Sequence, residues 1–301
     1  MIKRLAWLLL ACILLLAAGW FVYRRLARPI PPDINVVSNW PAPAPGPAPN
    51  PPNPPSGSLS TAPSAAAEPA NKKETATAET GFTLRQGETL QYNANVTKLD
   101  STIANLKIVA LEKRNSAGKS SWHLQAFAHT ENPYRIVFEL DDRFDSYSDA
   151  GNMTSLQYEM HLSERGQKVD SIQRMLPSPG DPAPDGMSAA RVLPGTRDPL
   201  GFLEYLRGVD WSRTTEVRSP VYDGHKLYEA RAVLVGKSTA VSVPAGSFNA
   251  MKIEIHVLDG GTEMKDAHFL LYLANDATRL PVLMEAVLPV ATARVELTQS
   301  K

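Results

Sequence analysis

The sequence predicts an all-β fold with a minor α component. A single curved antiparallel sheet or half-open barrel carries one short helix packed across it, and an N-terminal transmembrane helix and a disordered proline-rich linker precede it. Three observations predict this. Between Gly81 and Lys301, apolar and polar residues alternate with period two in many short runs, the mark of strands with one dry and one wet face. Turn residues separate those runs at regular spacing, as in sheets that curl or close. And 14 of the 25 prolines lie between Pro29 and Pro69, which divides a front that cannot pack from a block long enough to bury a core.

The chain divides at 1–28, 29–80 and 81–301. Leu5 to Tyr23 is a run of 19 uncharged, largely apolar residues, about enough for one helix to cross a bilayer. The apolar character continues through Trp20, Phe21 and Val22, past the small residues where a cleaved signal peptide would end. Leu9-Leu10-Ala11-Cys12 loosely resembles a lipoprotein cleavage box, but apolar residues follow the cysteine where a polar linker is expected. An uncleaved anchor is therefore expected. Arg24, Arg25 and Arg28 on the far side leave its orientation undecided by charge. From Pro29 to Thr80 the chain is rich in Pro, Ala, Ser and Asn; such a segment buries too little apolar surface to offset its ordering entropy and favours extended polyproline II, hence a tether.

Strands are expected from Gly87 to Lys113, as two runs parted near Asp100-Ser101, then at Trp122–His129, Tyr134–Leu140 and in two runs within Leu156–Leu176. Pro177 to Gly195 reads as a long loop. A helix follows. Asp198 can cap it, Pro199 suits its first position, Leu200, Leu203 and Leu206 share a face, and Gly208 can take a left-handed stop. It is expected to lie across an open end of the sheet. From Arg213 to Leu258 come three antiparallel strands. Asp223-Gly224 marks the first turn, with positive φ expected at both residues, and Pro244-Ala245-Gly246 the second. Past the second turn Met251, Ile253, Ile255 and Val257 face one side, Lys252, Glu254 and His256 the other. His268–Ala274, Leu280–Leu288 and Ala291–Thr298 complete the sheet.

The chemistry is spare. With 31 basic and 31 acidic residues well mixed, no electrostatic footprint for nucleic acid exists. The single cysteine, Cys12, lies in the apolar N-terminal run, so neither a disulfide framework nor a cysteine-built metal site is expected in the folded block. The six histidines are scattered, with no spacing that places two imidazoles on one metal, and read as solvated surface residues. Asp141, Asp142, Asp145 and Asp149, with Asn152 nearby, form an acidic run that could gather calcium or supply an acid and a base, but lacks the calcium-loop pattern and reads as a turn between strands. No nucleophile elbow, phosphate loop or Ser-x-x-Lys motif appears. No cofactor, metal or catalytic residue is expected. Tyr92, Phe138, Tyr158, Phe202, Tyr205 and Trp211 are the candidate lining of an apolar cavity under the helix, or else part of a filled core.

Four stretches together resemble a bacterial envelope family, the domain of unknown function 3108. They are GETLQY (Gly87–Tyr92), the DPLxxLxYLR helix (Asp198–Arg207), VPAGSFNAMKI (Val243–Ile253) and DATRLPV (Asp276–Val282). The resemblance implies an exported protein on a curved antiparallel sheet, and so an anchor in the inner membrane with the sheet domain in the periplasm. The expected role is a non-enzymatic, membrane-tethered binding or scaffold protein that holds an apolar ligand or lipid. An envelope-spanning structural or coupling protein that contacts an envelope partner by strand addition is the alternative. A hydrolase using Asp141, Asp145 or His161 stands third.

Overall fold

The computed structural model describes residues 33–35, 83–97, 99–116, 118–136, 138–164, 166–178, 180–182, 187–264, 268–288 and 291–301. The apolar run Leu5–Tyr23, Cys12 and most of the 29–80 segment lie outside them. No helix among the described residues is long and apolar enough to cross a membrane.

The strands are β1 (Asp33–Asn35), β2 (Thr89–Val96), β3 (Leu99–Ser116), β4 (Lys119–Thr130), β5 (Asp141–Asp149), β6 (Ser155–Glu164), β7 (Gln167–Leu176), β8 (Ser188–Arg191), β9 (Glu216–Tyr222), β10 (Leu227–Val243), β11 (Gly246–Asp259), β12 (Thr262–Glu263), β13 (His268–Ala274), β14 (Pro281–Leu288) and β15 (Ala291–Ser300). One helix, α1 (Pro199–Gly208), stands between β8 and β9. All the strands belong to a single sheet in the order β1-β8-β7-β6-β5-β4-β3-β2-β15-β14-β13-β11-β10-β9, with β12 pairing β11 at the side. Neighbours are antiparallel except β7–β8 and β8–β1. The first long strand and the last, β2 and β15, pair in the middle of the sheet, which zips the two ends of the folded block together.

The sheet curls but does not close through strand pairing. Its flanks are stapled instead by the segment leading into α1. The Ser155 amide donates to the Thr196 carbonyl on one side; on the other, Arg197 donates to Pro220 and accepts from Tyr222 on β9. Gln173 of β7 donates to the Gly224 carbonyl at the β9–β10 turn at 3.1 Å, another contact between the two flanks.

Within the curl lies α1. Asp198 caps it by accepting the Gly201 amide at 2.9 Å, and Pro199 opens it. Eight of its ten residues are buried, including Glu204 and Arg207, which is the pattern of an enclosed helix rather than an amphipathic surface one. It packs against β4, β5 and β9, and its bonded partners lie at strand ends and turns: Ser146 near the end of β5, Ser155 at the start of β6, Glu88 just ahead of β2, and Thr278 and Arg279 ahead of β14. A Cβ on Gly201 would stand 2.7 Å from Ser148 Oγ and 3.0 Å from the Met153 carbonyl oxygen; only glycine allows this approach.

Several local expectations are corrected. Gly208 does not take a left-handed stop: the helix ends on extended Val209, φ −69° and ψ 134°. At the first turn only Gly224 has positive φ, +100°, because Asp223 sits at the start of a wider turn, its Oδ1 accepting the His225 and Lys226 amides. The break between β2 and β3 falls at residues 97–98, ahead of Asp100-Ser101. Tyr134–Ile136 is a 3-10 turn, not the start of a strand, with Ile136 exposed. The acidic run 141–149 is β5 rather than a turn: its charges alternate with inward-facing Phe144, Ser146 and Ser148, which gives it strand period. The 177–195 loop contains β8, whose small residues Ala189 and Ala190 are buried.

Candidate functional site

Five of the six aromatic side chains expected to line a cavity belong to one contiguous apolar core. Tyr92, Phe138, Tyr158, Phe202 and Trp211 are buried in it, and Tyr205 packs partly buried against it. Trp211 donates its indole N–H to the Leu206 carbonyl at 3.0 Å, which locks the end of α1 onto the chain that follows. Tyr205 lies under the Arg197 guanidinium, 3.7 Å from ring centroid to Cζ.

One end of α1 carries a buried charge knot. Arg207, with a fully buried side chain, donates from one terminal nitrogen to Glu88 at 2.6 Å and to both oxygens of Glu204 at 3.0 and 2.8 Å. Its other nitrogens donate to the carbonyls of Arg279 at 3.1 Å and Thr278 at 3.2 Å. Burial by itself would lower the guanidinium's pKa, but Glu204 and Glu88 overcome it and hold the group charged. Burial pushes Glu204 up, with Arg207 opposing. Tyr92 Oη is buried beside these groups without a hydrogen-bond partner, and burial pushes its phenol well above its ordinary range. Arg279 holds its carbonyl in place from a left-handed φ of +48°, and its side chain reaches Met251 Sδ at 2.9 Å. All four stretches behind the family resemblance thus meet around Arg207.

The outer face of β4 to β7 carries the second polar set, built by register. Gln125 pairs Asp145, Asp145 pairs Glu159, and one rung along, Arg143 pairs His161 and His161 pairs Asp170. Directly opposed side chains across antiparallel strands come within about 5 Å of each other, so residues remote in sequence form one patch. Asp145 is only 3% exposed. Its Oδ1 accepts His123 Nε2 and Gln125 Nε2, each at 2.7 Å. Burial raises its pKa, but these bonds and nearby Arg143 outweigh it and hold the carboxyl below its ordinary value. Its Oδ2 takes no hydrogen bond, although Arg143 Nε stands 2.9 Å away in an ion pair. Gln157 donates to Glu159 Oε1 at 2.7 Å, and His161 Nδ1 donates to Asp170 at 2.6 Å. His161 Nε2 lies 3.3 Å from Glu159 Oε2. Among the described residues, Asp145, Glu159 and His161 are the group whose ligand-type atoms all fall within 4.8 Å of one another.

The remaining candidates are dispersed. Asp141 pairs with His129 and Arg135 in a separate exposed cluster. Asp142 points inward, accepting the Ser163 amide at 2.8 Å. Asp149 and Asn152 each close a turn, on the amides of Gly151 and Thr154. Of the hydrolase trio, Asp145 and His161 come together and Asp141 does not. His123, expected at the surface, is buried and stacked on Tyr147 at 4.5 Å. Sequence spacing missed the Asp145 patch because its members come from four strands. The signal it left is the polar residue at every second position of His123-x-Gln125, Arg143-x-Asp145 and Gln157-x-Glu159-x-His161.

A family model described as a protein of unknown function, DUF3108, matches residues 89–298. No curated protein matches the chain. Among solved structures, a β-barrel-like protein of the DUF1849 domain from Brucella abortus is similar with 14% identity and a TM-score of 0.46, covering 72% of this chain and 97% of that one. A Bacteroides fragilis protein of YmcC-like fold aligns with 11% identity and a TM-score of 0.34, covering 73% and 98%. The hypothetical protein CT021 of Chlamydia trachomatis aligns with 8% identity and a TM-score of 0.34, covering 72% and 87%.

Proposed function

The chain belongs to the DUF3108 family, and from that premise we propose that it is a periplasmic scaffold protein of the bacterial envelope, tethered to the inner membrane, which binds a partner rather than transforming a substrate. The packed core carries this reading. With α1 largely buried and the candidate lining residues packed into one core, an apolar ligand or lipid would have to displace core side chains or the helix. Asp198 at its start and Arg207 at its end are both bonded to surrounding strands or their connections, which opposes that movement. The surfaces left for a partner are the outer face and the sheet edges.

One edge supports contact by strand addition. The short strand β8 already takes Asp33–Asn35, from the proline-rich segment, in parallel register, and three residues form a contact small enough to exchange for a partner's strand. The other terminal strand, β9, is guarded by Pro220 and by charged Glu216 and Arg218. The tether and the 19-residue apolar run ahead of it support the membrane-anchored location.

Native mass spectrometry of the full chain released gently from membranes, paired with photo-crosslinking in cells from position 187 beside β8, tests the reading. The expected result is a protein crosslinked from that edge and no small molecule retained. A lipid or other apolar molecule retained at one per chain overturns it in favour of a carrier.

A further inference from the structure

The geometry points to a divalent transition-metal site on the outer face of the sheet, with Asp145 Oδ2, Glu159 Oε2 and His161 Nε2 as its ligands. The argument is independent of the scaffold reading and rests on how the three side chains are held. Each has one polar atom engaged by a residue outside the trio; of the others, Glu159 Oε2 and His161 Nε2 face each other at 3.3 Å, and Asp145 Oδ2 faces Arg143 Nε at 2.9 Å. Asp145 Oδ1 is occupied by His123 and Gln125, Glu159 Oε1 by Gln157, and His161 Nδ1 by Asp170. With the Nδ1 proton directed to Asp170, the shorter of the ring's two carboxylate contacts, Nε2 presents its lone pair toward Glu159 and Asp145. This is the orienting outer shell that ligating histidines and carboxylates ordinarily possess. Asp145 is only 3% exposed, and its Oδ2, although ion-paired with Arg143, takes no hydrogen bond.

The spacing fits a small cation. Bonds of about 2.0 to 2.2 Å in a tetrahedron put ligand atoms about 3.4 Å apart, and His161 Nε2 stands 3.3 Å from Glu159 Oε2. The remaining separations lie within 4.8 Å, so the third ligand must draw in by up to about 1.4 Å, given that tetrahedral edge. One imidazole with two carboxylates selects zinc, manganese or iron(II) over calcium, which prefers an all-oxygen shell. The half-exposed Arg143 side chain, whose Nε makes the 2.9 Å ion pair with Asp145, is the competing cation. Its exposure leaves it free to swing outward. Three protein ligands leave at least one coordination position open to the outer face, where water or a donor from a partner would complete the shell.

The test uses the full chain in detergent, stripped with chelator and titrated calorimetrically with zinc chloride, with cobalt(II) as a visible probe. Saturable binding of one zinc per chain is expected, with the visible bands of low-symmetry cobalt on substitution. His161→Gln and Glu159→Gln each weaken binding at least tenfold while the urea midpoint shows that they fold. Asp170→Asn, which touches only the outer shell, weakens it by about tenfold. Arg143→Gln strengthens it by removing the competitor, and Asp141→Asn, in the separate cluster, leaves it unchanged. No saturable binding, or binding that survives both His161→Gln and Glu159→Gln, overturns the proposal. The patch would then be an ion ladder built around Arg143.

Discussion

Arg207 shows what a single residue does in this fold. Its side chain joins α1, the start of β2 and the turn before β14 through five donor contacts given above. Removing one partner of a buried ion pair leaves the other charged and unpaired, at a cost of about 3 to 5 kcal/mol. Arg207→Met is expected to lower stability by that order in urea denaturation, and Arg207→Met combined with Glu88→Gln and Glu204→Gln to recover part of it. An additive triple variant would show that the knot is not a coupled unit. Asp223 gives the clearest pH effect. Burial pushes its carboxyl up from 3.8 to about 6, so between those values the folded protein holds a proton that the unfolded chain has released. Stability therefore falls as pH rises through that window, and the loss is complete above about 6. Asp142, pushed to about 7 by burial, acts in the same direction over a wider range. Asp223→Asn keeps the Oδ1 acceptor for the His225 and Lys226 amides and is expected to flatten the slope, stabilising the protein near neutral pH by roughly 1 to 3 kcal/mol. Unchanged pH dependence of the urea midpoint would refute this assignment.

Among the elements, α1 was legible in part. Its cap, its first-position proline and its leucine spacing were all readable, because helix ends follow from local chemistry. Its enclosure was not, because Glu204 and Arg207 look like an exposed polar face until Glu88 arrives from another part of the chain. Gly201 tests the enclosure. Gly201→Ala places a methyl group 2.7 Å from Ser148 Oγ, and crowding of this kind costs about 1 to 3 kcal/mol, whereas an exposed helix would be stabilised by the better helix former. A drop in melting temperature is expected; a rise would place the helix at the surface. Strands showed the same division. The β10–β11 alternation was readable and survives, with Met251, Ile253 and Ile255 buried. The acidic β5 was misread as a turn, because the serines facing inward at 146 and 148 are buried by their bonds to each other and to Asp198, a partner the sequence does not place nearby.

For the whole molecule, the decisive contact is the one between flanks. The β9–β10 turn reaches β6 and β7 through Gly224, whose carbonyl accepts from Gln173 and whose Cα faces Met160. Gly224→Ala forces a side chain into φ +100°, a conformation that costs a non-glycine residue about 1 to 3 kcal/mol. It is expected to loosen the seam first, so amide exchange should quicken in β9 and β7 ahead of β2 and β15; uniform quickening would mean that the flanks are not a separate weak point. The sequence by itself determined the family, the strand periodicity and the start of the helix, because each depends on residues close together in the chain. Tertiary structure decided that both faces of the helix are buried, that four separated stretches converge on Arg207, and that Asp145, Glu159 and His161 share one patch. These follow from register and curl, and register is fixed by pairings between strands that period-two alternation cannot name.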